Sequence, residues 1–308
     1  MIRNLLTLHC VLGLCGIGLA SDHPWAARRL NYESLPNAYQ VNSHVISGGV
    51  PDGDNGFEQL RRLGVKTIIS VDGAKPDLKR AKSHGLSYVH VPHGYDGISE
   101  SQSKALAKAV LELPGPIYIH CHHGKHRSPA AAIVACIGAG LAEPGSGTAF
   151  LRAAGTSERY VGLYEAARLA KKLDRSDLGA LQISFSETAQ VTPLARAMVD
   201  IERTFDRLRQ SRESGWRSPR SHPDLMPAHE ALILKEHFVE LLRLRSERRP
   251  EDYRGMLTRS RDAAMQMVTT LNQQPLTPQT ASALTAAMRT IKSNCQQCHR
   301  RYRDVPTR

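Results

Sequence analysis

The chain of 308 residues has length for about two domains and a sizeable buried core. With 41% hydrophobic and 23% charged residues it is ordinary globular material, which excludes general disorder, collagen-like repeats and a polytopic membrane protein. Its formal charge of +12 favours anionic partners without choosing among phosphorylated substrates, nucleic acid and acidic lipid, and its six cysteines are too few and too unevenly spaced for a disulfide scaffold.

The N-terminus reads as a secretory signal peptide over residues 1–20. Arg3 precedes an apolar run from Leu5 to Leu19, and the small-residue ending Gly18-Leu19-Ala20 leads into Ser21-Asp22. The run is shorter than the roughly 20 residues needed to span a bilayer. Leu14, before Cys15, argues against a lipoprotein signal. Cleavage after Ala20 predicts an exported, periplasmic bacterial protein with no membrane span, keeping Cys121, Cys136, Cys295 and Cys298.

Residues 38–174 alternate strands and helices. Val65–Val71, Ser87–Val91 and Pro116–His120 are β-branched runs expected as buried strands, and Phe57–Leu63, Pro76–His84 and Ser101–Leu113 are amphipathic. The alternation predicts an α/β domain with a mostly parallel sheet flanked by helices. Residues 175–190 are expected as a linker. From 191 to 308 four apolar stripes follow at helical spacing, beginning Leu194-Met198-Ile201-Phe205-Leu208, Ala231-Leu234-Phe238-Leu241, Tyr253-Leu257-Ala264-Met267-Leu271 and Ala281-Leu284-Met288-Ile291. Breaks at Pro219–Pro227, Arg249-Pro250 and Pro275–Pro278 separate them, so the second domain is expected to be an all-α four-helix bundle.

Between the third strand and an Ala-rich helix stands His120-Cys121-His122-His123-Gly124-Lys125-His126-Arg127-Ser128. A loop opening a helix turns backbone N–H groups and the positive helix end toward one point, an anion site that also favours a thiolate. Lys125, Arg127 and the histidines add positive charge, and Arg127 can grip two phosphate oxygens in a bidentate fork. His122, His123, Gly124, Lys125, His126 and Arg127 are therefore the expected phosphate-binding positions. Four histidines in seven residues also suggest zinc, but the side chains of such a loop point outward and are not expected to meet on one metal. Cys136, nine residues beyond Arg127 on the same helix, is out of disulfide reach of Cys121 and is read as a core thiol.

Cysteine, five residues, then arginine and serine resembles the signature of the cysteine-dependent protein tyrosine phosphatases, and the compact upstream length suits their dual-specificity branch. The resemblance implies that Cys121 attacks phosphorus to form a phosphocysteine, Arg127 and the loop amides hold the phosphoryl oxygens, Ser128 assists thiolate departure, and His120 orients the loop. It also implies a general acid after a strand. Asp96 lies 25 residues before Cys121 in the loop following Ser87–Val91 and is the candidate for that acid, with Asp72 its competitor. A rhodanese-type sulfur transfer uses a similar cysteine loop, but the Arg127-Ser128 ending favours phosphate. Lysine within the loop resembles tensin-like lipid phosphatases, so the substrate class is a phosphorylated protein or a small polyanionic phosphoester.

Near the C-terminus Cys295-Gln296-Gln297-Cys298-His299 is a c-type haem attachment pattern: two thiols add to the haem vinyl groups and His299 ligates iron. Its place on the last of four helices, followed by Tyr302-Arg303, resembles the cytochrome c′ family. There the sixth iron position is open or held by a Met of the first helix, which implies Met198; His222, His229 and His237 are alternatives.

The two resemblances together describe an exported phosphatase fused to a covalently bound haem c domain that senses redox state or a small gas, or passes electrons to a redox partner. Self-association through the bundle is an accompanying expectation. The reading from a different class is an electron-transfer or gas-binding haem protein whose first domain only docks anions. Residues 21–180 carry net +4 and residues 181–308 net +7, so the charge is spread over both domains and needs no nucleic acid to explain it.

Overall fold

A computed structural model describes residues 27–244, 250–273 and 275–305. The expected signal peptide lies outside the described residues.

Among the described residues six strands form one mixed sheet in the order β1 (Arg28–Leu30), β2 (Ala38–Gln40), β3 (Val45–Gly49), β6 (Ile117–Cys121), β4 (Thr67–Ser70), β5 (Ser87–His90). The first three strands run antiparallel to one another, while β3, β6, β4 and β5 are parallel. Side chains alternate between the two faces, as the strand period requires. Ile69, Val89, Ile117 and Ile119 join a core with α3 (Glu100–Glu112), α4 (Arg127–Gly138), α5 (Gly147–Ala153) and α6 (Val161–Leu169). Ile68, Tyr88 and Tyr118 enter a smaller core on the other face with α1 (Gly53–Arg62) and α2 (Leu78–Ser83). With both faces covered, the parallel strands are apolar without interruption, which is why the sequence shows them as continuous β-branched runs.

The sheet begins earlier than residue 38, because β1 pairs with β2. Segment 175–190, expected as a linker, holds the short helix α7 (Arg175–Ala180) and is fastened to the α/β unit. Leu178 is buried and its carbonyl accepts from Lys108 Nζ at 2.9 Å, while the Ser186 carbonyl accepts from the His90 backbone N–H and the Ala189 N–H donates to His90 Nδ1. Linker composition gave no sign of these bonds, which go to backbone groups that any sequence offers.

Among the described residues four long helices follow: α8 (Pro193–Glu213), α9 (Pro227–Arg243), α10 (Glu251–Asn272) and α11 (Pro278–Tyr302). Thr192 and Thr277 cap α8 and α11 by accepting from the N–H groups of Ala195 and Thr280, each with Pro in the first turn, where its missing N–H is harmless. The four apolar stripes meet in one core around Leu208, Leu234, Phe238, Ala264, Met267 and Ile291. Each helix packs on the next, whereas the backbones of α8 and α11 do not pack closely. None of the described helices is long and apolar enough to cross a membrane.

Candidate functional site

Strand β6 ends at Cys121 and α4 starts at Arg127, so residues 122–126 form a loop at the C-terminal edge of the sheet. Its carbonyls are tied outward one by one. The His122 carbonyl accepts from Val50 N–H at 3.1 Å, the Gly124 carbonyl from Asn37 Nδ2 at 2.9 Å, and the Lys125 carbonyl from Thr156 Oγ1 at 2.7 Å. None of the N–H groups from His122 to Arg127 donates to an acceptor among the described residues. Those N–H groups, with the start of α4 behind them, form an anion cradle. Gly124 makes the turn possible: its φ is +73°, and a Cβ there would collide with the backbone of Gly48 and Gly49.

Cys121 is buried, with Sγ 3.3 Å from Ser128 Oγ, and that hydroxyl also donates to the Gly48 carbonyl at 2.8 Å. A hydroxyl with one proton and two acceptors can turn from the carbonyl to the sulfur as negative charge returns there. Behind Cys121, His120 bonds the Cys121 carbonyl through Nδ1 at 3.3 Å and the Tyr88 hydroxyl through Nε2. One neutral tautomer satisfies both, with Nδ1–H donating and Nε2 accepting. Burial pushes His120 down to about 4, so the ring stays neutral near pH 7 and holds the loop without adding charge.

Arg127 is nearly enclosed. Its Nη2 donates to Asp72 Oδ2 at 3.2 Å, and its guanidinium lies over the Tyr95 ring, 4.6 Å from the centroid. Arg127 Nε is buried with no acceptor among the described residues, and the same is true of His93 Nε2. The guanidinium is thus anchored through Nη2, while its Nε–H retains a donor for an anion. Burial disfavours the charged form of Asp72, but the Arg127 guanidinium and the Ala74 N–H outweigh it and hold the carboxyl below its ordinary value. An ionised, paired carboxylate has no proton to give, so Asp72 is an anchor for Arg127 and not a proton donor.

Asp96 lies half-buried in the loop between β5 and α3, next to Tyr95. Its backbone rests against Gly162, where any Cβ would strike the Asp96 carbonyl, and its carboxylate folds over Gly94. Among the described residues no hydrogen bond or ion pair joins Asp96 to Cys121 or Arg127. His126, expected as a cation of the loop, packs its ring 4.6 Å from Tyr160, and burial followed by neighbouring cations pushes it down to about 4. It is neutral near pH 7, which leaves Lys125 and Arg127 as the fixed positive charges. His122 and His123 turn away from the cradle toward α8: His122 Nε2 is 4.0 Å from Asp206 Oδ2, and His123 Nε2 is 3.7 Å from Glu202 Oε1.

The helical half borders this site from a second direction as well. Arg303, just past α11, lies over the Tyr95 ring at 4.1 Å from the centroid and donates through Nε to the buried Asp304 at 2.7 Å. Tyr95 thus touches both Arg127 and Arg303. On α11, Cys298 is buried and Cys295 half-buried, both outside any disulfide and packed at the helical core, and Met198 of α8 packs against the same core. Burial pushes His299 down to about 4, keeping the imidazole in the neutral form that ligates metals. His222 and His229 are exposed. Cys136 is a free thiol fully buried in α4, pushed up to about 12 by burial.

Asn37, Thr156, Tyr88 and Val50 were missed in the sequence because each acts through backbone or hydroxyl contacts from a distant element. Only Asn37 leaves a trace: its φ of +50° is a conformation Asn tolerates, and Pro36-Asn37 is a turn signal.

No protein-family model and no curated protein matches the chain. Among solved structures the chain is similar to TpbA of P. aeruginosa, at 19% identity over 51% of this chain and 95% of that one, with a TM-score of 0.42. A putative phosphatase (DUF442) of Shewanella putrefaciens CN-32 is similar at 17% identity over 44% of this chain and 95% of that one, TM-score 0.37. The core catalytic domain of the PP-IP phosphatase SIW14 of S. cerevisiae, in complex with citrate, is similar at 20% identity over 44% and 86%, TM-score 0.39. These likenesses are distant, and the chemistry open to this chain follows from its own residues.

Proposed function

We propose that the chain hydrolyses phosphomonoesters through a phosphocysteine intermediate at Cys121. The observation that carries this reading is the loop itself, in which Sγ sits at the base of a ring of free N–H groups with Arg127 Nε facing no acceptor among the described residues. Three phosphoryl oxygens accept from those donors, the thiolate attacks phosphorus, and the P–O bond to the leaving group breaks. Asp96 gives that leaving oxygen its proton. Water then attacks phosphorus with Asp96 as the base, the P–S bond breaks, and Ser128 donates to the departing thiolate. The substrate class is a phosphorylated protein or a small polyanionic phosphoester. Purified protein should hydrolyse an aryl phosphate under reducing conditions, and Cys121→Ser should abolish turnover. An inactive wild type with intact anion binding would instead favour the anion-docking reading.

The reading of α8–α11 as a haem c domain is part of the same proposal. The residues present fit the group: Cys295 and Cys298 stand one turn apart at the helical core and in no disulfide, His299 is neutral, and α8 and α11 stand apart in backbone while Met198 packs against the same core. Cys295 and Cys298 would form the thioether bonds, His299 would ligate the iron and Met198 would be the sixth ligand. The bound group would supply electron transfer or gas binding at iron. A haem spectrum that survives acid extraction in the wild type and is lost in Cys295→Ser/Cys298→Ser tests the attachment. Export to the periplasm follows from the expected signal and from covalent haem attachment outside the bacterial cytoplasm.

A further inference from the structure

We infer that His122 and His123 of the phosphate loop, with Glu202 of α8, form a transition-metal site that fastens the helical half to the loop. One ligand atom from each of the three lies within 4.8 Å of the other two. The two rings meet edge to face with centroids 4.3 Å apart, and His123 Nε2 is 3.7 Å from Glu202 Oε1. Asp206, four residues after Glu202 and therefore on the same face of α8, brings a fourth donor to 4.0 Å from His122 Nε2.

Ligands of a tetrahedral ion with metal–ligand bonds of about 2.0–2.2 Å stand roughly 3.4 Å apart. The three donors, all within 4.8 Å of one another, need to close by at most about 1.4 Å, and the side chains of His123 and Glu202, 58% and 53% exposed, have room to do so. Two imidazoles and two carboxylates suit Zn²⁺, Cu²⁺ or Co²⁺ and are a poor match for Ca²⁺ or Mg²⁺, which prefer oxygen alone.

The phosphate cradle does not need these rings. Its inner surface is backbone N–H and Arg127, which leaves the outward positions 122 and 123 free for another role. The loop alone offered no meeting point for its histidines; the other ligands come from an element 80 residues later in the sequence. The His122 carbonyl is held by Val50 N–H, so a metal on its ring connects α8 to the rigid side of the site. The inference is independent of whether Cys121 turns over a substrate.

The test is titration of the full-length protein, as purified, with ZnCl₂ by calorimetry and with CoCl₂ by absorption. Cys121→Ser and Cys295→Ser/Cys298→Ser serve as thiol controls. One equivalent of Zn²⁺ is expected in the wild type and in both thiol controls, with affinity at least tenfold weaker in His123→Gln and in Glu202→Gln. The cobalt spectrum should show ligand-field bands with no thiolate charge-transfer band. Both substituted side chains are half-exposed, and circular dichroism confirms that the variants fold. No Zn²⁺ binding, equal affinity in His123→Gln and Glu202→Gln, or binding lost only with the thiols would each overturn the inference.

Discussion

Replacing Asp72 by Asn separates an anchor from a proton donor. The Asp72–Arg127 pair is 3.2 Å apart with both side chains about nine-tenths buried. Two unit charges at that distance attract by about 5 kcal/mol at an effective dielectric of 20, and burial of both groups offsets much of it. Asn keeps an oxygen for Arg127 Nη2 but loses the charge, so the expected loss is that of a charge-assisted hydrogen bond, roughly 1.5–3 kcal/mol. Expressed at the transition state, this lowers kcat/KM by roughly 10- to 150-fold. The assay compares two phosphomonoesters, one with a nitrophenolate leaving group that departs without a proton and one with an alkoxide that requires it. Asp72→Asn should lose the same factor on both, because a displaced Arg127 grips either phosphoryl group less well. Asp96→Asn should lose on the order of 100- to 10,000-fold with the alkoxide and little with the nitrophenolate. If the Asp72→Asn defect vanished with the good leaving group while that of Asp96→Asn persisted, the roles assigned to the two acids would be reversed and the reasoning refuted.

Three further outcomes follow from the same geometry. Asn37→Ala removes donors to the Gly124 and Ala154 carbonyls, both 2.9 Å away, and should lower stability by about 2 kcal/mol and weaken phosphate binding, as read by thermal melts with and without phosphate. Gly162→Ala pushes against the Asp96 carbonyl and should lower kcat/KM on the alkoxide substrate far more than on the nitrophenyl one; equal losses would show that the loop is not the source of the proton. His120, buried and pushed down to about 4, binds its proton more readily when unfolded. Its contribution is present above the unfolded value of about 6.5 and is lost as pH falls through about 4, amounting to on the order of 3 kcal/mol. Denaturant midpoints between pH 7.5 and 4.5 should fall accordingly, and a flat profile would contradict the neutral-ring assignment.

How far the sequence was legible depended on whether a feature was local. Three of the four parallel strands, β4, β5 and β6, showed as apolar runs because both faces of the sheet are covered, and the four long helices showed as stripes because each buries one face. The antiparallel edge β1–β2–β3 did not: β1 and β2 are three residues each, too short for a period to register. The phosphate loop was readable because Cys121, Gly124, Arg127 and Ser128 lie within eight consecutive residues. What holds it was not readable, since Asn37, Tyr88 and Thr156 each come from a different element. Asp72 and Asp96 both follow a strand, and spacing alone could not assign them; burial and the contact with Arg127 distinguish Asp72 as the anchor. The loop histidines looked like one basic group, yet His126 is stacked and neutral while His122 and His123 face carboxylates of α8.

The central claim is covalent chemistry at one sulfur. Mixing the protein with a nitrophenyl phosphate, quenching in acid within the first turnover and mapping peptides by mass spectrometry reads it directly. A phosphoryl group on Cys121 in the wild type, accumulating further in Asp96→Asn where hydrolysis of the intermediate lacks its base and absent in Cys121→Ser, is the predicted result. Turnover that continues in Cys121→Ser, or phosphate carried on any other residue, would contradict the account.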